Sequence, residues 1–186
     1  MSVEYFGNCG RILGSIIDWE SVINEIKDQE PAYIGPSHKR GDNIVGLDPL
    51  LDQWEASGYK LFKDGGTVEW DMFLPGKNFS QEIVEKFAEF VGVKDYKTAW
   101  ISRINTGRMA PMHWDVHDDE EEYKNDIDRP RFHCHIGDPK FGHAFMVDDQ
   151  LFYNVPQGSV YKWSSRKLWH AGVNMGLEPK YMFNFW

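Results

Sequence analysis

The second half of the chain is a succession of short extended segments, and this pattern limits the folds that it can adopt. From Thr98 onward there is no apolar stripe with a helical period. Apolar and β-branched runs occur instead between Gly, Pro, Asp and Asn, at 99–105, 109–114, 131–137, 143–147, 151–155, 159–163, 168–173 and 180–185. Short, closely spaced strands predict an antiparallel sandwich or barrel rather than alternating strands and helices.

The first half predicts helices with a few strands. An apolar stripe of helical period follows Asp18, a second begins at Leu47, and a third begins at Ser80 and ends at Gly92. The segments 59–63 and 68–74 flank a Gly-rich turn and predict a hairpin, whereas 31–46 has no periodicity and predicts a loop.

Length and composition favour one domain. The chain has 186 residues, and its 12 Phe, 8 Tyr and 8 Trp require a large buried core. We therefore predict an α+β, mainly β fold: a double-stranded β-helix (a cupin-like jelly-roll) in residues 98–186, supported by helices and strands in residues 1–97. Together they form a single domain over residues 1–186.

Charge, hydropathy and cysteine content bear on the protein's partners and its cellular location. The chain carries 20 Lys and Arg against 29 Asp and Glu, a formal charge of −9, so we expect no nucleic-acid partner. We also expect no membrane association, because there is no long apolar run. Nothing in the spacing of Cys9 and Cys134 requires a disulfide, and a cytoplasmic location is the simpler expectation.

A metal site is the sharpest functional signal. Residues i and i+2 of an extended segment point the same way, so His113 and Asp115 can present an imidazole and a carboxylate to one ion. His170, on a later strand, can complete two histidines and one carboxylate, the ligand set of non-haem Fe(II) oxygenases. The competing histidines are His117 for the first position and His133, His135 and His143 for the second.

Basic side chains in the neighbouring strands suggest an anion pocket. Alternation in the last strand puts Tyr181 and Phe183 on one face and Lys180 on the interior face, where an ammonium suits the far carboxylate of 2-oxoglutarate (2OG). Arg131, His133 and His135 share a face of another strand in the same way. Both patterns have a plainer interpretation, a surface turn at Lys180 and an edge strand whose basic face lies in water.

From Trp100 to Trp186 the sequence resembles the aspartyl/asparaginyl β-hydroxylase-like branch of the 2OG/Fe(II) dioxygenases. The resemblance implies metal ligands at His113 and His170, and 2OG contacts from Ser102, Arg131, His133 and Lys180. Gly158 and Asn174 also match the pattern of this branch. Two positions depart from it: Asp115 stands where the best-known member has glycine, and Lys180 replaces an arginine.

These observations predict a 2OG- and Fe(II)-dependent dioxygenase, most simply a hydroxylase. It would use O2 and 2OG, release succinate and CO2, and act on a protein or peptide side chain or a small amino-acid-like metabolite. No catalytic residue beyond the metal site is predicted. Two alternatives stay open: a cupin-like metalloenzyme that does not use 2OG, and a non-enzymatic jelly-roll binding module. The acidic run at 118–128 is either a solvated loop or a lid over the metal.

Overall fold

A computed structural model describes residues 3–10, 16–36, 47–114, 130–163 and 168–186. The elements in chain order are β1 (Glu4–Asn8), α1 (Trp19–Ile26), β2 (Tyr33–Gly35), α2 (Leu47–Ala56), a 3-10 turn (Phe62–Asp64), β3 (Trp70–Phe73), α3 (Gln81–Val91), β4 (Ala99–Ile104), β5 (Arg108–His113), β6 (Arg131–His135), β7 (His143–Val147), β8 (Gln150–Tyr153), β9 (Ser159–Trp163), β10 (His170–Asn174) and β11 (Lys180–Phe185).

The strands form two antiparallel sheets. One has seven strands in the order β1-β9-β6-β11-β4-β3-β2, and the other has four in the order β5-β10-β7-β8. All eight strands predicted for the second half are present, and the prediction of a mainly β protein with a few helices is confirmed.

Helices α1 and α3 cover the outer face of the seven-stranded sheet. Asp18 and Ser80 accept backbone N–H bonds at the starts of α1 and α3, and Gly92 ends α3 in the left-handed conformation, as the sequence predicts. Trp19 of α1 and Phe87 of α3 pack against Phe183 of β11 at centroid distances of 5.4 and 4.8 Å. This main core therefore lies on the helical side of the sheet.

A second apolar cluster lies between the two sheets. Phe145 and Val147 of β7 pack there with Trp163 of β9 and Met182 of β11. Period-two alternation makes this arrangement possible, since Phe183 enters the helical core while its neighbour Met182 enters the space between the sheets.

Two local predictions were wrong. Residues 59–63 do not form a strand; they enter a turn with a 3-10 helix because Leu61 and Phe62 accept the turn's backbone N–H bonds. The loop predicted at 31–46 contains β2, which pairs with β3 and ends the sheet; residues 37–46 lie outside the described ranges. Within the described residues, no helix is long and apolar enough to span a membrane.

Candidate metal centre and anion pocket

His113 and His170 face each other on neighbouring strands. His113 ends β5, His170 begins β10, and the two are register partners whose ring centroids lie 4.3 Å apart. The antiparallel register brings them together although they lie 57 positions apart in the sequence.

Each imidazole is oriented by a main-chain carbonyl. His113 Nδ1 donates to Pro111 O at 2.6 Å, and His170 Nδ1 donates to Leu168 O at 3.1 Å. A carbonyl oxygen only accepts, so Nδ1 carries the proton and Nε2 carries the lone pair in the neutral rings. This is how proteins fix histidine ligands for a divalent metal.

Tryptophans surround the pair. The Trp70 ring is stacked on His113 at 6.5 Å, and Trp54 meets the same ring edge-on at 5.9 Å. Trp163 lies 5.7 Å from the His170 ring. Trp54 is itself held by an Nε1 bond to Met112 O. These contacts restrict the rings and limit the access of water to them.

The third predicted ligand, Asp115, lies outside the described residues, as do His117 and the acidic run at 118–128. Within the described part of the chain, no group of three His, Cys, Asp or Glu side chains could hold a metal ion. The structure thus brings together the two predicted histidines and does not describe the carboxylate.

Lys180 lies between the sheets, as the alternation of β11 predicts. It is 3% exposed, donates to Ala144 O, and lies 5.7 Å from the centroid of Phe145. It forms no ion pair with any described residue, and burial lowers the pKa of Lys180 to about 7. A cation in this position needs an anion to be favourable.

Ser102 lies on the same face of the sheet as Lys180. Ser102 pairs with Met182 of β11, and Ile104, the next residue of β4 on the same face, pairs with Lys180. The Ser102 hydroxyl accepts from Trp100 Nε1 at 2.9 Å and from Asn184 Nδ2 at 3.0 Å. With both acceptor sites occupied, its own proton is available to an anion.

Strand β6 turns its polar face inward, and only part of that face is charged. The His133 ring lies flat on Phe145 at 4.1 Å, and burial, followed by the nearby charge of His135, holds its pKa well below the ordinary value. Arg131 is 5% exposed, with its guanidinium 3.9 Å above the Trp186 ring. Among the predicted 2OG residues, the positive charge therefore comes from Arg131 and Lys180, while His133 is neutral.

His135 is a site residue that the predicted set omits. Its Nε2 is buried and has no hydrogen-bond partner among the described residues. His135, His143 and Lys180 line a cavity of about 20 Å³, enough for one water or a carboxylate oxygen. Burial lowers the pKa of His135 to about 3, so the ring is a neutral donor or acceptor. Its alternation with His133 is the signal that could have identified it.

Comparison with solved structures gives the fold. A prolyl hydroxylase from Trichoplax adhaerens, in complex with a hypoxia inducible factor peptide fragment, superposes with a TM-score of 0.51 at 12% identity, covering 99% of this chain and 82% of that one. At this low sequence identity, the superposition shows that the two chains share a fold and nothing more. That shared fold agrees with the jelly-roll expected for 2OG oxygenases.

Two other solved structures are similar at lower scores. The viral collagen prolyl hydroxylase of Paramecium Bursaria Chlorella virus-1, as a 2OG complex, gives a TM-score of 0.49 at 18% identity over 75% of this chain and 87% of that one. A Pseudomonas putida prolyl-4-hydroxylase gives 0.45 at 12% identity over 90% and 97%. No protein-family model and no curated protein sequence matches the chain.

Proposed function

We propose that the protein is a 2OG- and Fe(II)-dependent dioxygenase that hydroxylates its substrate. The observation that carries the proposal is the pairing of His113 with His170, each with its Nδ1 bonded to a main-chain carbonyl. The buried Lys180 between the same two sheets supports the proposal, because its ammonium group would be stabilised by a bound anion. Residues 98–186 form a double-stranded β-helix in this proposal, and residues 1–97 support it within one domain.

The donor set fits iron. His113 and His170 would supply two Nε2 atoms, and Asp115 would supply a carboxylate, which together are the ligand set that non-haem Fe(II) oxygenases use. When bound, Fe(II) with 2OG and O2 supplies the oxidation, in which one oxygen atom enters the substrate and 2OG becomes succinate and CO2. The protein's contribution is binding, orientation and exclusion of water.

The anion pocket fits 2OG. Gly172 is two residues beyond His170 on the same face of β10, and a Cβ atom on Gly172 would lie 3.7 Å from Lys180 Nζ. Measured along β10, Lys180 Nζ therefore lies beside a position two residues, or about 6.6 Å, further along the strand than His170. We assign the far carboxylate to Lys180, with the Ser102 hydroxyl and His135 Nε2 as further partners, and the metal-side carboxylate to the neighbourhood of Arg131. His133 would contact the cosubstrate as a neutral ring.

For the substrate we propose a protein or peptide side chain first and a small amino-acid-like metabolite second. The prolyl hydroxylase of similar fold is bound to a peptide of hypoxia inducible factor, so a peptidyl proline is the first residue to test. The aspartyl/asparaginyl β-hydroxylase-like branch rests on the sequence resemblance alone. A cytoplasmic location and the absence of a nucleic-acid partner belong to the same proposal and likewise rest on the sequence.

The test is the formation of succinate from 2OG without added substrate, in the presence of Fe(II) and ascorbate. We expect slow turnover by the wild type and none by H170A, and the same slow turnover by H143A, whose ring bonds to Glu178 O instead. Iron binding without succinate formation would favour the cupin-like alternative. No iron binding would favour the binding module.

A further inference from the structure

We propose that Cys9 and Cys134 form a site of reversible oxidation, where a hydroperoxide converts two buried thiols into one intramolecular disulfide. The Sγ atoms lie 3.7 Å apart, and both cysteines are free and almost fully buried. This proposal is independent of the proposed dioxygenase activity.

The contact joins two parts of the seven-stranded sheet that are not neighbours. Cys9 directly follows β1 and Cys134 lies in β6, with β9 between these strands. Cys9 reaches across β9 because its N–H donates to Gly158 O at 3.0 Å, beside the start of β9. Both thiols lie on the helical side of the sheet, in the main core.

A close backbone crossing fixes the position of Cys9. Gly158 has a φ of +82°, and a Cβ atom there would lie 2.4 Å from Gly10 N, so only glycine lets the two segments approach this closely. Asn8 secures the same crossing, since its side chain donates to Gln157 O at 2.9 Å and accepts from Gly10 N at 2.8 Å. The thiol pair is thus held by contacts on both sides of Cys9.

The two sulfur atoms are suited to different roles. The hydrogen bond with Cys134 lowers the pKa of Cys9, while burial raises the pKa of Cys134 well above its ordinary value. The Cys9 thiolate attacks the hydroperoxide, an alcohol leaves, and a sulfenic acid forms on Cys9. The Cys134 sulfur then displaces water from it and closes the disulfide. Two thiols and one hydroperoxide give one disulfide, one alcohol and one water.

Closing the bond requires the sulfur atoms to approach from 3.7 Å to about 2.05 Å. The hydroperoxide reaches the buried pair when β1, at the edge of the sheet, separates from β9. Once formed, the bond fastens β1 to the strand that carries Arg131, His133 and His135.

The experiment treats the reduced, folded protein with a small excess of cumene hydroperoxide and then blocks remaining thiols with iodoacetamide in denaturant. We expect a monomer whose mass is lower by two hydrogen atoms and whose cysteines take up no iodoacetamide. Digestion should yield a linked peptide that contains Cys9 and Cys134, and dithiothreitol should restore both thiols. The matched variants C9A and C134A, each with one cysteine left, form no such link.

The linked protein should also melt on the order of 10 °C above the reduced protein, because the bond closes a very long loop. Three results would overturn the proposal. The first is that both cysteines still react with the label after treatment. The second is an oxidised product that carries sulfinic or sulfonic acid without a linked peptide, and the third is a linked protein that melts at or below the reduced one.

Discussion

The ammonium group of Lys180 lies beside Gly172 of the opposite sheet, 3.7 Å from the position that a Cβ atom on Gly172 would occupy. Gly172 in turn lies two residues beyond His170. This places the candidate metal centre and the candidate anion pocket on one line between the sheets, at a separation that a short dicarboxylate can span.

Removal of the Lys180 charge should weaken 2OG binding and spare iron. K180A should raise the KM for 2OG by about 30-fold or more, since losing one partner of a buried charge pair costs about 2–5 kcal/mol. K180R should recover part of the loss. K140A, which removes a half-exposed lysine paired with Glu178, is the matched control. A wild-type KM in K180A would contradict the 2OG assignment and leave the metal site untouched.

The affinity for 2OG should fall as the pH rises above about 7. Burial lowers the pKa of Lys180 to about 7 in the free protein, and a bound carboxylate would raise it again. Binding therefore takes up a proton, and the dissociation constant should rise up to tenfold per pH unit above 7. The neighbours His133, His135 and His143 have pKa values lowered below 6.5 and stay neutral in this range.

Calorimetry of 2OG binding in two buffers of different ionisation enthalpy measures that proton uptake directly. In K180R the guanidinium stays charged at every accessible pH, so the uptake should disappear. Equal proton uptake by wild type and K180R would assign the titration to another group.

Loss of either paired histidine should abolish iron binding. H113A and H170A remove one Nε2 ligand each, so calorimetric Fe(II) binding and succinate formation should both be lost. D115A should be milder, because the resembled family includes an enzyme without this carboxylate. H143A is the control for both measurements, and H135A is a control for iron binding alone, because His135 lines the proposed 2OG pocket. Unchanged iron affinity in H113A would transfer the assignment to His117, and unchanged affinity in H170A would transfer it to His133, His135 or His143.

Alternation along single strands could be read from the sequence. A period of two places Lys180 and Met182 on the inner face of β11, opposite Phe183, because the neighbouring side chains are apolar and one face must meet the helices. The caps of α1 and α3 were equally readable, since Asp18 and Ser80 supply side-chain acceptors just before an apolar stripe.

Contacts between distant segments could not be read in this way. The approach of Cys9 to Cys134 depends on a backbone crossing at Gly158, and the cavity beside His135 depends on where β7 meets β11. Such placements follow from pairing across the whole fold, to which no local period points. The neutral state of His133 likewise results from burial against Phe145, whereas the sequence alone shows only a basic strand face.

Acid should destabilise the protein partly through His135. Burial lowers the pKa of His135 in the folded protein from 6.5 to about 3. Between these two pH values, the unfolded chain therefore binds a proton at His135 that the folded protein does not bind. The stability from the neutral ring is fully present above pH 6.5 and is lost as the pH falls towards 3, by up to about 5 kcal/mol. Urea unfolding of wild type and H135F at pH 7 and pH 4.5 measures this. The pH dependence should be smaller in H135F, and an equal dependence would assign it to other groups.

Gly172 should be needed for the close approach of the two sheets. A Cβ atom at residue 172 would lie 2.9 Å from Ile104 Cδ1, so G172A should cost about 1–3 kcal/mol in urea unfolding as Ile104 is displaced. I104V removes that Cδ1 atom and alone should cost about 0.5–1.5 kcal/mol. The double variant should be more stable than the sum of the two losses implies, because the added methyl group occupies the space that the shortened side chain leaves. Strict additivity would show that the cost of G172A arises elsewhere, in the contact with Lys180 or in the backbone of β10.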